Sequence, residues 1–141
     1  MKIYTSYFAQ MRNFPPNMIS FSTATWNPKW LSKNDPHIWL DIPPLKPGEA
    51  CEGLCNGKCA NKQPEFCAFL KTYRKQLDML DFNEIVSKIK AIALKIQQEE
   101  HFNGVDVAIL VYETPRNKCS ERIVIQQWFK DNGIEVAEWE R

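Results

Sequence analysis

The chain has 141 residues, which is enough for one domain with its own hydrophobic core and too few to favour two. Its 18 basic and 17 acidic residues give a formal net charge of +1, so the protein as a whole has little electrostatic attraction for nucleic acid or an anionic membrane. No apolar run approaches the ~20 residues that span a bilayer, and the start does not read as a secretion signal. We therefore expect one cytoplasmic domain over residues 1–141 with no membrane partner.

The first third of the chain predicts two strands and a long excursion. The segments KIYTSYF (residues 2–8) and MISFST (18–23) are rich in β-branched and aromatic residues, and the pair Pro15–Pro16 between them excludes a helix. Residues 26–48 contain five prolines and three tryptophans, a composition that favours an ordered surface excursion without regular structure.

The rest of the chain predicts helix, helix, strand, helix and strand. Apolar residues recur at helical spacing over residues 66–80 and again over 81–100, where a D-x-x-E capping signal begins the second helix. The run VDVAILVYE (105–113) is almost continuously apolar, which is typical of a central strand in a parallel sheet. A helix over 119–132 and a strand over 134–139 follow, so we expect an α/β fold.

Four of the five cysteines lie in the segment CEGLCNGKCANKQPEFC, at the spacing C-x3-C-x3-C-x7-C. Structural zinc sites hold the ion in a tetrahedron of soft ligands, and this segment has too few apolar residues to fold onto the domain without a cross-link. We therefore predict that Cys51, Cys55, Cys59 and Cys67 bind a structural zinc ion. Residues 49–68 would then form a metal-binding insertion.

Other interpretations of the cysteines stay open. An iron–sulfur cluster also takes four thiolates, and the spacing does not choose between the two cofactors. The cysteines could also be unligated thiols or paired disulfides, although the expected reducing compartment disfavours disulfides. His37 and His101 are not predicted to be ligands, because each stands alone in a context that explains it without a metal.

The sequence VYETPRNKCSERIVIQQWF runs from the predicted central strand through a loop into a helix. Open α/β sheets bind ligands at the carboxyl ends of their strands and against helix N-termini. The N–H groups of such a helix favour an anion, and Arg116, Lys118 and Arg122 add positive charge. We therefore expect a ligand that carries a phosphate or carboxylate group.

Three residues near this turn are candidates for catalysis. A thiol at the start of a helix has a lowered pKa, which makes Cys119 a candidate nucleophile, and Glu113 could transfer a proton or hold Arg122. No histidine base is matched to Cys119, however. Capping of the helix by Asn117 or Ser120 would by itself explain the polar residues at this turn. The sequence does not decide whether the protein is an enzyme.

Five further residues are predicted to contact the ligand. If the first strand lies parallel to the central strand, the hydroxyls of Tyr4 and Ser6 reach the same crevice. Arg116, Lys118 and Ser120 belong to the loop and helix start that would surround the anion.

The segments KIYTSYF and VAILVYETPRNKCSERIVIQQWFKDNGIEVAEW resemble the domain-of-unknown-function family four-eight-eight, and its N3-type branch, common in Firmicutes and their phages, is the nearest likeness. Family members open with "IYTxxY" and end with "LLCxE…CHR" followed by a helix and a strand. Glu113, Cys119 and Arg122 match the family's Glu, Cys and Arg, whereas Ser120 follows the cysteine where the common pattern has His. The resemblance implies a small Rossmann-like α/β fold with these residues at the mouth of the sheet. We accordingly expect three layers, a mostly parallel sheet and a metal-tied cysteine-rich loop.

Three functions are open at this point. The first is binding, and processing, of a phosphate-bearing small molecule such as a nucleotide at the turn around Cys119. The second is a nucleic-acid-associated module of phage or bacterial DNA metabolism or defence, using the metal-tied loop and the basic run KTYRK (71–75). The third is a non-catalytic adaptor that docks Trp26, Trp30 and Trp39 into a partner. We expect the first, because useful chemical groups converge at the turn and the overall charge is close to neutral.

Overall fold

The computed structural model describes residues 1–32, 35–55 and 64–141. Within these residues the strands are β1 (Ile3–Tyr7), β2 (Met18–Ser22), β3 (Trp39–Asp41), β4 (Asp106–Val111) and β5 (Ala137–Glu138). The α-helices are α1 (Ala68–Asp78), α2 (Phe82–Glu99) and α3 (Glu121–Asp131), and a 3-10 helix spans Phe8–Asn13. None of the helices in the described part of the chain combines the length and the apolar character needed to cross a membrane.

The five strands form one sheet in the order β3-β2-β4-β1-β5, and every neighbouring pair is parallel. β4 lies at the centre because its residues from Val107 to Val111 are apolar on both faces, and all of them are fully buried. β1 lies beside β4, with Ile3 opposite Val107 and Tyr7 opposite Val111. The predicted α/β class and parallel sheet are confirmed.

Alternate residues of β4 belong to two different cores. Val107, Ile109 and Val111 pack with apolar residues of α1, α2 and α3. Ala108 and Leu110 pack with residues of the 3-10 helix and with the loop that follows β2. The sheet is therefore the middle of three layers, with the α-helices on one face.

The chain segments that follow β4 and its neighbouring strands run over opposite faces of the sheet. The chain passes from β1 to β2 over the face that carries the 3-10 helix, whereas β4 continues into α3 on the helical face. β4 lies between β1 and β2 in the sheet, so adjacent strands send their chains to different faces. This reversal is a topological switch point, and it opens a crevice beyond the carboxyl ends of the strands.

Several predicted boundaries shift in the structure. The excursion over residues 26–48 was predicted to lack regular elements, but it contains β3, a three-residue edge strand held by β2 alone. The last strand shortens to two residues, because only Ala137 and Glu138 pair with β1. The predicted cap of α2 is confirmed, since the Asp81 carboxylate accepts the Glu84 N–H at 3.1 Å.

Candidate functional site

Three cysteines lie together beside the helical layer. The Sγ atoms of Cys55, Cys67 and Cys119 are all within 4.8 Å of one another, and the last two residues are buried. Thiolates around one tetrahedral ion at about 2.3 Å lie about 3.8 Å apart, so small side-chain shifts would bring this group to ligand spacing. None of the four described cysteines, these three and Cys51, is joined by a disulfide to another described residue. The three cysteines are therefore close enough to hold a metal ion.

Helix packing brings the three thiols together. Cys67 is the N-cap residue of α1, Cys119 directly precedes the N-cap residue of α3, and these two helices pack against each other. Sequence analysis missed Cys119 as a partner of the loop cysteines because a long stretch of chain separates it from them.

Of the other two cysteines predicted as ligands, the structure describes only Cys51. Cys51 is buried and its Sγ lies 4.0 Å from Gln76 Oε1, outside the group of three. Burial raises the pKa of the Cys51 thiol, which favours the neutral form over a thiolate. Cys59 lies outside the described residues.

A cavity of about 600 Å³ lies at the carboxyl ends of β2 and β4. Its lining comes from the loop after β2, from the residues that follow β4, and from the first residue of α3: Ala24, Thr25, Trp26, Asn27, Lys29, Trp30, Tyr112, Glu113 and Glu121. Trp26 and Trp30 are 81% and 63% exposed, so their rings are open to a ligand or to solvent. The cavity lies at the switch point of the sheet, and Glu113 is the one residue of the predicted ligand site in its lining.

Two carboxyl groups form the acidic wall of this cavity. The Ser120 hydroxyl lies 3.1 Å from Glu113 Oε2 and 3.4 Å from Glu121 Oε2, and it donates to the nearer oxygen. Burial, together with the negative charge of Glu113, raises the pKa of Glu121 to about 7. The wall therefore presents both carboxyl donors and carboxylate acceptors near neutral pH. Sequence analysis overlooked Glu121, because an acidic residue in the first turn of a helix is common.

Arg122 is directed into the protein. Its Nε lies 2.6 Å from Glu138 Oε1, its Nη2 donates to the backbone carbonyl of Glu113 at 3.0 Å, and it is 4% exposed. Its guanidinium carbon lies 5.7 Å from the centre of the Tyr7 ring. Nη1 is buried and has no hydrogen-bond partner among the described residues. Arg122 thus ties α3 to β5 and to the loop after β4, and it is absent from the cavity lining.

The remaining predicted ligand contacts are spread over the molecule. Arg116 and Lys118 are exposed on the loop between β4 and α3 and are absent from the cavity lining. Tyr4 lines a separate cavity together with Lys2. Ser6 is fully buried opposite Leu110, and its hydroxyl has no partner in the described part of the chain. The structure thus brings Glu113 and Ser120 together at the crevice.

Comparison of the chain with protein-family models, with curated proteins and with solved structures found no significant match. The resemblance to family four-eight-eight therefore stays a prediction. The function has to be inferred from the geometry of the cavity and of the cysteine group.

Proposed function

We propose that the protein binds a phosphate-bearing small molecule of the nucleotide class in the cavity at the carboxyl ends of β2 and β4. The observation that carries the proposal is the position of this cavity at the switch point of a parallel sheet, where α/β domains bind their ligands. Its volume of about 600 Å³ suits a molecule of nucleotide size.

The chemistry of the lining supports the same class of ligand. Trp26, Trp30 and Tyr112 offer aromatic faces on which a base can stack. Glu113 and Glu121 can hydrogen-bond to the edge of that base, and their charge repels phosphate. We therefore place the base against the acidic wall.

Three cations on the cavity lining and on the loop between Glu113 and Glu121 suit the phosphate. Lys29 belongs to the lining, and the exposed Arg116 and Lys118 lie on the adjoining loop. These three groups can neutralise a phosphate at the mouth of the crevice. We therefore propose that the phosphate binds nearer the mouth of the cavity than the sequence suggested, because Glu121 occupies the start of α3.

We also propose that the ion of the cysteine group is zinc with a structural role. Sγ atoms within 4.8 Å of one another fit ligands of a single ion better than ligands of different irons in a larger cluster. Elemental analysis of protein purified without added metal, with an absorption spectrum of the same sample, tests this assignment. One zinc per chain without visible colour supports it, and iron with brown absorbance contradicts it.

The basic run on α1 offers little support for the nucleic-acid alternative. Arg74 is already paired with Asp78 at 2.9 Å and with Asp131 at 2.8 Å, and Tyr73 is fully buried. The run therefore presents less free positive charge than its sequence suggests.

Thermal denaturation with added ligand tests the nucleotide proposal. A nucleotide at 100 times its Kd stabilises the folded state by about 2.7 kcal/mol, so AMP, ATP or GTP is expected to raise the Tm. Lys29→Ala is expected to reduce this shift. Lys88→Ala removes the same charge from the exposed face of α2 and is the matched control. If no nucleotide raises the Tm, or if Lys88→Ala reduces the shift as much as Lys29→Ala, the proposal fails.

A further inference from the structure

We propose that Cys119 is a metal ligand together with Cys55 and Cys67, and that the bound ion fixes the wall of the crevice. The first part stands on the spacing of the three Sγ atoms, all within 4.8 Å of one another. The second part rests on the proposed function, because it concerns ligand affinity in the crevice.

Two of the three cysteines stand at helix N-termini, Cys67 at α1 and Cys119 at α3. Metal binding replaces the proton of each thiol by the ion and releases that proton to solvent.

The backbone of Cys55 is left-handed in the turn that holds it. Its φ is 56°, a left-handed conformation that costs a residue with a side chain about 1 kcal/mol. Such a conformation persists where the surroundings fix it. A bond from Cys55 to an ion that also binds Cys67 and Cys119 would fix it.

Neither histidine is matched to Cys119 as a base for a nucleophilic role. His37 Nδ1 contacts Asp35 at 2.9 Å, and His101 is exposed at the end of α2. Glu113, which the sequence proposed as the acid or base, accepts a hydrogen bond from the Ser120 hydroxyl at 3.1 Å. A thiolate bound to an ion is also a weaker nucleophile than a free one, so ion binding at Cys119 disfavours the nucleophilic role.

The ion would act on the crevice through residues that directly follow Cys119. The Asn117 side chain accepts the Cys119 N–H at 2.9 Å, and the next residue, Ser120, contacts the carboxyl groups of Glu113 and Glu121. A bond at Cys119 therefore fixes the segment that positions both glutamates. Loss of the ion would release that segment and weaken ligand binding.

Cobalt(II) titration tests the ligand set, because thiolate-to-cobalt charge transfer absorbs in the near ultraviolet. Cys119→Ser is expected to reduce this absorbance and to weaken cobalt binding by more than the roughly 10–100-fold that loss of a supporting residue costs. Cys67→Ser should behave in the same way. Cys51→Ser is the matched control, since Cys51 lies outside the group, and it should bind cobalt like the wild type. Wild-type affinity and absorbance in Cys119→Ser would overturn the proposal.

Alkylation of the wild-type protein covers the case in which Cys119→Ser fails to fold. Iodoacetamide labelling, read peptide by peptide by mass spectrometry, is expected to rise at Cys119 when zinc is removed by a chelator. Equal labelling of Cys119 with and without zinc would overturn its assignment as a ligand.

Nucleotide binding to zinc-loaded and chelated protein tests the link to the crevice. We expect the zinc-loaded protein to bind ATP at least about tenfold more tightly, a difference of 1.4 kcal/mol. Equal affinities would overturn the link. No binding by the zinc-loaded protein would refute the proposed function, whereas the cobalt titration would still decide the ligand set.

Discussion

The Sγ atoms of Cys67 and Cys119 lie within 4.8 Å of each other, although one residue caps α1 and the other precedes the cap of α3. The packing of α1 on α3 produces this proximity, and Cys55 joins the two from the preceding loop. One ion bound there would cross-link a loop, two helices and the turn that follows the central strand.

Removal of the metal is expected to destabilise the whole domain. A structural zinc ion contributes folding free energy directly, so chelation should lower the free energy of unfolding by at least about 3 kcal/mol. For a domain of this size that corresponds to a fall in Tm of about 10 °C. Differential scanning calorimetry with and without a chelator measures it, and an unchanged Tm would contradict the structural role.

Arg122→Ala is expected to be strongly destabilising. The substitution removes a buried guanidinium and leaves the partly buried Glu138, whose Oε1 lies 2.6 Å from Arg122 Nε, with the Thr5 hydroxyl as its remaining donor. Loss of one member of a buried ion pair typically costs about 3–5 kcal/mol. Arg116→Ala, at an exposed position in the preceding loop, should change stability by no more than about 0.5 kcal/mol. Urea denaturation of both variants checks the contrast, and equal effects would show that the buried pair contributes little.

Two helix caps separate stability from ligand binding. Ser120→Ala and Asp81→Ala each remove a cap, from α3 and α2 respectively, at an expected cost of about 1 kcal/mol. Only Ser120 contacts the glutamates of the crevice, so only Ser120→Ala should also weaken nucleotide affinity. Calorimetric titration of both variants measures this. A similar loss of affinity in Asp81→Ala would assign the effect to general destabilisation.

Substitution of an exposed and of a buried tryptophan is expected to have opposite effects on ligand binding and on stability. Trp26 is 81% exposed, so Trp26→Ala should leave stability within about 0.5 kcal/mol while weakening ligand binding. Trp128 is 2% exposed on α3, and Trp128→Ala should cost about 3–5 kcal/mol. Thermal melts with and without nucleotide check both. Unchanged binding in Trp26→Ala would remove the stacking contact from the account.

The predictable parts of the fold are those with strong local signals. β4 was predicted because its sequence is an almost continuous apolar run, and the structure buries that run on both faces. The start of α2 was predicted because the Asp81 cap depends only on residues close in sequence. β3 was missed because three residues paired with a single neighbour carry almost no periodicity.

The same distinction applies to the candidate site. Glu113 was predicted because it directly follows the central strand, and the structure places it in the cavity lining. Glu121 was missed because its contact with Glu113 depends on how α3 approaches the sheet. The proximity of Cys119 to Cys55 likewise depends on non-local helix packing, which spacing in the sequence does not encode.

The most direct test of the central claim is an NMR titration of the isotope-labelled, zinc-loaded protein with ATP. Perturbed backbone amides are expected to concentrate in residues 24–30, at 112–113 and at 120–122, which surround the cavity. Perturbations confined to residues 71–75 on α1, or none at saturating ATP, would contradict nucleotide binding in the crevice.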